Sequence, residues 1–247
     1  MRILLIAIFL LTFNISQQSF ATPIISGIST NEINIDTEFK GTKILLFGAK
    51  GDAGDIVVAL RGPKKNFIVT KKESFLGFWY NGKRVRFDNS YSFYSLFSTF
   101  GGGHGDDDLL KDLELGKSSL KFESSDENDL ATRSEFKVQL IDNLERKSLY
   151  KSGTDKVDFL DETLFKVVID FPKNIPRGVY SAEIYLINDG NLISFQSIPI
   201  YVNQVGFSAQ VLDFSYQEPF IYGLLSVAIA LVFGWVANYV FIRFFGK

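Results

Sequence analysis

Cysteine is missing from all 247 residues, and histidine and methionine occur once each. Without cysteine there is no disulfide, no thiol nucleophile and no thiolate ligand for a metal. The single imidazole, His104, excludes any site that needs two histidines from one chain. Long apolar runs are also scarce: residues 3–13 and 220–242 are the two, and nothing between them is long or apolar enough to cross a membrane. A chain of this kind is held by its core alone, and 25 phenylalanines supply the area to bury.

The two apolar runs carry different expectations. Residues 1–21 read as a signal peptide, with Arg2, then eleven mostly apolar residues, then Ser19-Phe20-Ala21 as a small-x-small cleavage site. Eleven helical residues cover only about 16 Å, half a bilayer core. Residues 220–242 include, apart from tyrosines, only Ser226 and Asn238 as polar side chains. They suffice for about 34 Å of helix, although a buried core helix is a competing reading. Tyr222, Trp235 and Tyr239 suit a lipid interface, and the 243–247 tail carries Arg243 and Lys247. The expectation is a single-pass protein of the bacterial inner membrane, its bulk periplasmic and its C-terminus cytoplasmic. Residues 22–218 hold 23 basic and 28 acidic side chains, a mild −5 that argues against nucleic acid as a partner.

The pattern between the runs is mainly β. Residues 22–100 read as short strands at 24–28, 32–36, 42–47, 55–60, 67–70, 77–80, 85–87 and 93–97, with turn signals at Asn81-Gly82 and Asp88-Asn89. Residues 101–128 form an acidic, Gly-rich insertion containing a short helix over 106–115. Residues 129–150 form an amphipathic helix with Phe136, Leu140, Ile141 and Leu144 on one face, ended by Ser152-Gly153. Residues 151–203 return to period-two strands around an Asp189-Gly190 hairpin, and residues 204–219 are a tether. The expected architecture is a β-sandwich-like, Ig-like fold in one or two domains, with one amphipathic helix and one C-terminal transmembrane helix.

Five segments carry a resemblance: ILLFGAKGDAGDIVVALRGP at 44–63, GFWYNG at 77–82, YSFYSLFST at 91–99, NIPRGVYSAEIYLINDG at 174–190 and YGLLSVAIALVFGW at 222–235. Together they resemble the alphaproteobacterial putative transmembrane protein family, with the main departure at 101–133. The resemblance implies a signal peptide, a periplasmic domain and one C-terminal span. It also implies a sulfite-exporter-type permease as partner. It names no catalytic residue.

Four constellations are candidates for chemistry. Gly48, Gly51 and Gly54 lack the Gly-Lys-Ser/Thr of a phosphate loop and read as a turn. His104 with Asp106, Asp107 and Asp108 has ligand chemistry, but its acids are consecutive rather than alternating, so a solvated helix start competes with a metal site. Arg61, Lys64, Lys65, Lys83, Arg84 and Arg86, with Lys71 and Lys72, form a basic region suited to a small anion or headgroup. The opposing reading pairs it with the acids of 106–129. Ser226, Ala230, Gly234 and Asn238 recur every four residues, a small-residue face suited to close helix packing in lipid. No Ser/His/Asp set is credible around one histidine in a glycine tract. The expected function is a non-enzymatic accessory protein of an anion permease, without cofactor or metal. The alternative is an envelope structural or ligand-binding module acting through its sandwich.

Overall fold

Alternating strands such as Gly41–Lys50 and Leu164–Pro172, and the strand Asp55–Arg61 with its continuous apolar run, build two facing sheets. A computed structural model describes residues 24–100, 108–124 and 130–245. The strands are β1 (Ile24–Ile28), β2 (Glu32–Ile35), β3 (Gly41–Lys50), β4 (Asp55–Arg61), β5 (Lys64–Phe75), β6 (Phe78–Tyr91), β7 (Tyr94–Ser98), β8 (Tyr150–Lys156), β9 (Asp158–Phe159), β10 (Leu164–Pro172), β11 (Gly178–Asn188) and β12 (Asn191–Gln204). The helices are α1 (Asp108–Asp112), α2 (Leu130–Arg146), α3 (Phe207–Gln217) and α4 (Pro219–Phe245).

One sheet has the order β1-β3-β10-β9 and the other β2-β12-β11-β4-β7-β8. All pairings are antiparallel except β12–β2 and β7–β8. Ile44 and Leu46 of β3 and Phe165, Val167 and Ile169 of β10 bury their side chains in one core with Val58 and Leu60 of β4 and Ile184 and Leu186 of β11. Phe93, Phe171 and Tyr180 close one end, their ring centroids 5.6–5.7 Å apart. The strand-rich sections before and after the middle segment therefore interleave in both sheets and share one core.

Gly48 lies in β3 rather than in the expected turn, which is confined to residues 51–54. A Cβ there would sit 2.6 Å from the Phe165 ring and 2.8 Å from the Ile25 carbonyl oxygen. Gly48→Ala is expected to cost about 1–3 kcal/mol by overpacking, read as a lowered melting temperature of the full chain in detergent.

Several boundaries differ from the sequence expectation. Strands expected at 67–70, 77–80 and 85–87 are parts of one long ribbon, β5–β6. Its turn is Leu76-Gly77, with φ of 49° and 84° between the paired Phe75 and Phe78, as a two-residue type I′ turn requires. Leucine at positive φ costs about 1 kcal/mol relative to glycine. The expected turns at Asn81-Gly82 and Asp88-Asn89 lie within β6, beside the two places where the pairing register shifts. Asn89, at φ 49°, donates its backbone N–H to Asn66 Oδ1 at 3.2 Å. Turn chemistry here serves bulges.

The amphipathic helix stops at Arg146 rather than running to residue 150. Ser148 takes a φ of 57°, and the Leu149 N–H reaches the Leu144 carbonyl at 2.9 Å. That is a Schellman end without glycine, and Ser152-Gly153 falls inside β8. Phe136, Leu140 and Leu144 still form the buried face. The expected tether contains a helix, α3, and Pro219 opens α4 at a position where its missing N–H costs nothing.

Candidate functional site

The described part of the acidic middle segment, residues 108–124, covers a sheet face. Val57, Ala59 and Arg61 point outward from β4, beside Tyr185 and Ile187 of β11. Leu110 of α1 and Leu115 cover them. Arg61 fastens this cover: it donates to Glu183 Oε2 at 2.6 Å and to the carbonyl oxygens of Leu113 and Glu114 at 2.5 and 3.4 Å. Its guanidinium lies 5.4 Å from the centre of the Tyr91 ring. Burial lowers the Arg61 pKa, but Glu183 together with Tyr185, Tyr91 and Tyr94 outweighs it, and the net shift is upward. Glu183 also accepts from Tyr185 Oη at 2.5 Å and Ser181 Oγ at 3.3 Å. Tyr94 Oη accepts from the Gly116 N–H at 2.8 Å and donates to the Glu114 carbonyl at 3.2 Å. Burial pushes its pKa up to about 12.

Arg61 is therefore committed to holding the fold, which removes it from the expected anion patch. The remaining members are divided by the pleat of the ribbon. Lys83 lies on the face turned to α2 and donates to Thr132 Oγ1 at 2.9 Å. Arg84 and Arg86 lie on the opposite face, across from Thr70 and Ile68. Arg86 pairs with Asp88 at 2.6 Å, and Lys64 stands 5.2 Å from the Tyr91 ring centre. Lys65 is exposed opposite Ser90. These six side chains do not converge on one pocket. A cleft of about 380 Å³ between β5 and α2 instead takes Lys71 and Lys72, with Lys71 3.9 Å from Glu135.

Of the acidic cluster around the single histidine, His104, Asp106 and Asp107 lie outside the described residues. Asp108 is in α1, 3.6 Å from Lys111. Among the described residues no group of three or more His, Asp or Glu is placed to hold a metal. The expected signal peptide at 1–21 also lies outside the described residues, as does Lys247 of the tail.

The ribbon carries a feature that composition did not single out. Its tip exposes Phe75, Leu76, Phe78 and Trp79 by 68–82 %. The signal was present in SFLGFWY, where large apolar residues surround a two-residue turn.

Residues Pro219–Arg243 of α4 are a 25-residue apolar helix, none of it buried among the described residues. At 1.5 Å per residue it is about 37 Å long, enough for a bilayer core of about 30 Å. Ser226, Ala230, Gly234 and Asn238 lie along it and are all exposed. Ser226 Oγ donates to the Tyr222 carbonyl at 2.8 Å, and nothing stands within 4 Å of a Cβ built on Gly234.

An exposed apolar helix of this length beside a β-sandwich defines a membrane protein with one candidate C-terminal span. The profile of the family described as "Putative transmembrane protein" (Alph_Pro_TM) matches residues 23–243, and the chain belongs to that family. Comparison with curated proteins and with solved structures gives no match.

Proposed function

We propose that the protein is a non-enzymatic accessory subunit, held in the bacterial inner membrane with its sandwich in the periplasm and its C-terminus in the cytoplasm. Its partner in this reading is a multi-span permease, and the sequence resemblance points to sulfite-type anions as that permease's cargo. The observation that carries the reading is the isolation of α4. Its small-residue face, Ser226, Ala230, Gly234 and Asn238, is exposed among the described residues. Without a hydrophobic drive in lipid, helices associate through close packing and interhelical hydrogen bonds, which such a face supplies.

Gly234→Ile with Ala230→Leu is expected to abolish co-purification of a multi-span protein in mild detergent, while the sandwich stays folded. Retention of that protein after α4 is replaced by an unrelated span would sink the reading.

A second reading has its own observation. Ile25, Leu45, Phe47 and Val168 leave an apolar patch on the outer face of the β1-β3-β10 sheet, each 40–67 % exposed. An envelope binding module would use that face, and Leu45→Lys would then remove its partner while the span variants would not.

A further inference from the structure

The ribbon β5–β6 and the span leave the sandwich from the same end. At the end of β12, Val202 pairs with Gly178, the first residue of β11. Three residues later Ser181 of β11 pairs with Arg61, the last residue of β4. Pro63, which joins β4 to the ribbon, packs on Gly178, with its Cγ 2.9 Å from where a Cβ would be. The helix that leads to the span begins at Phe207, and its Asp213 shares a cleft with Arg177, Gly178 and Gln204. The root of the ribbon therefore stands beside the connection to α4. Ribbon arms of 12 and 14 residues are about 40–45 Å long, with Val85 and Phe87 of the half nearest the root buried in the core, against about 16 Å for the 11 residues of α3.

The far end of the ribbon has interfacial chemistry. Residues 74–81 are all exposed. Phe75, Leu76, Phe78 and Trp79 form its tip, with Tyr80 behind them, its hydroxyl donating to Glu73 at 2.7 Å. Lys71, Lys72, Lys83 and Arg84 follow within a few residues, Glu73 being the one acid between Lys71 and Arg84. Aromatic and aliphatic side chains ahead of a basic collar match the boundary between acyl chains and acidic headgroups. Leu76 keeps a large apolar side chain, 82 % exposed, at a left-handed turn position where glycine or asparagine would relax the backbone.

We propose that the β5–β6 ribbon is a second membrane contact, which sets Phe75, Leu76, Phe78 and Trp79 into the interfacial layer of the bilayer that α4 crosses. Tethering favours that bilayer, because the anchored chain meets it at high effective concentration. The sandwich is then held at two points rather than one, which fixes its orientation over the membrane.

The chain has two tryptophans, Trp79 and Trp235. Trp235→Phe in the full-length protein therefore leaves Trp79 as the sole reporter. The protein is reconstituted into vesicles of phosphatidylcholine and phosphatidylglycerol, with and without bromine on the acyl chains. The expected result is blue-shifted Trp79 emission that loses roughly half its intensity to brominated lipid. Adding Phe75→Ser, Leu76→Asn and Phe78→Ser should return the emission to that of tryptophan in water. Circular dichroism confirms that the sandwich is retained. Water-like emission with full acrylamide access in the parent protein overturns the proposal. Protection from acrylamide without bromine quenching overturns it too, because it places a protein, and not lipid, over the tip.

Discussion

Replacing Arg61 by Met is expected to destabilise the sandwich by about 3–5 kcal/mol, the usual cost of leaving a buried charge without its partner. The side chains of Arg61 and Glu183 are 11 % and 14 % exposed. Removing the guanidinium leaves the Glu183 carboxylate with only the Tyr185 and Ser181 hydroxyls. It also withdraws the donor from the Leu113 and Glu114 carbonyls, so the segment around Leu110 and Leu115 loses its fastening. Two readouts follow: a lower melting temperature, and early protease cleavage near residues 108–116. The double variant Arg61→Met with Glu183→Leu should recover much of the loss, since an apolar pair of similar volume avoids the stranded charge. A single variant that melts within about 1 kcal/mol of the parent would show that the pair is solvated and contributes little.

The second large effect is alkaline unfolding. Burial raises the pKa of Tyr94 to about 12 and also raises those of Tyr150, Tyr180 and Tyr185. In the unfolded chain these phenols ionise near pH 10. Between pH 10 and the folded values the native state therefore holds more protons than the unfolded state, and stability falls as pH rises. For Tyr94 alone the loss reaches about 2–3 kcal/mol once pH passes 12, and the other three act in the same direction. Below pH 10 none of this contribution is lost. Absorbance at tyrosinate wavelengths should show some of the ten tyrosines ionising only together with loss of near-ultraviolet dichroism. If all ten titrate reversibly near pH 10 with the dichroism intact, the buried-phenol account fails.

The sandwich was legible wherever a strand had one wet face. Phe165, Val167, Ile169 and Phe171 alternate with outward residues, and their burial follows that alternation. The span was legible from length and composition. The ribbon was read as separate strands because Asn81-Gly82 and Asn89 carry turn chemistry that this fold uses to offset two strands by a residue. Its actual turn contains a leucine, which local preference disfavours. The basic cluster misled for a different reason. Adjacent charges in sequence are sent to opposite faces by the pleat, so Lys83 and Arg84 part company, and a buried position claims Arg61. The cover formed by Leu110 and Leu115 was hidden among acids, whose charge dominated the local composition.

The parallel pairing of β2 with β12 has a temporal consequence. Glu32 lies opposite Tyr201, so one of the first strands of the chain is completed by the last. Contacts this distant in sequence form late and slowly. Until β12 has been synthesised, β2 lacks its strand partner and β11 has an unpaired edge, and such edges invite pairing with other chains. Synthesis of α3 and α4 follows immediately after β12. Closure of the sheet and entry of the span into the bilayer thus belong to the same short interval in the life of the nascent protein.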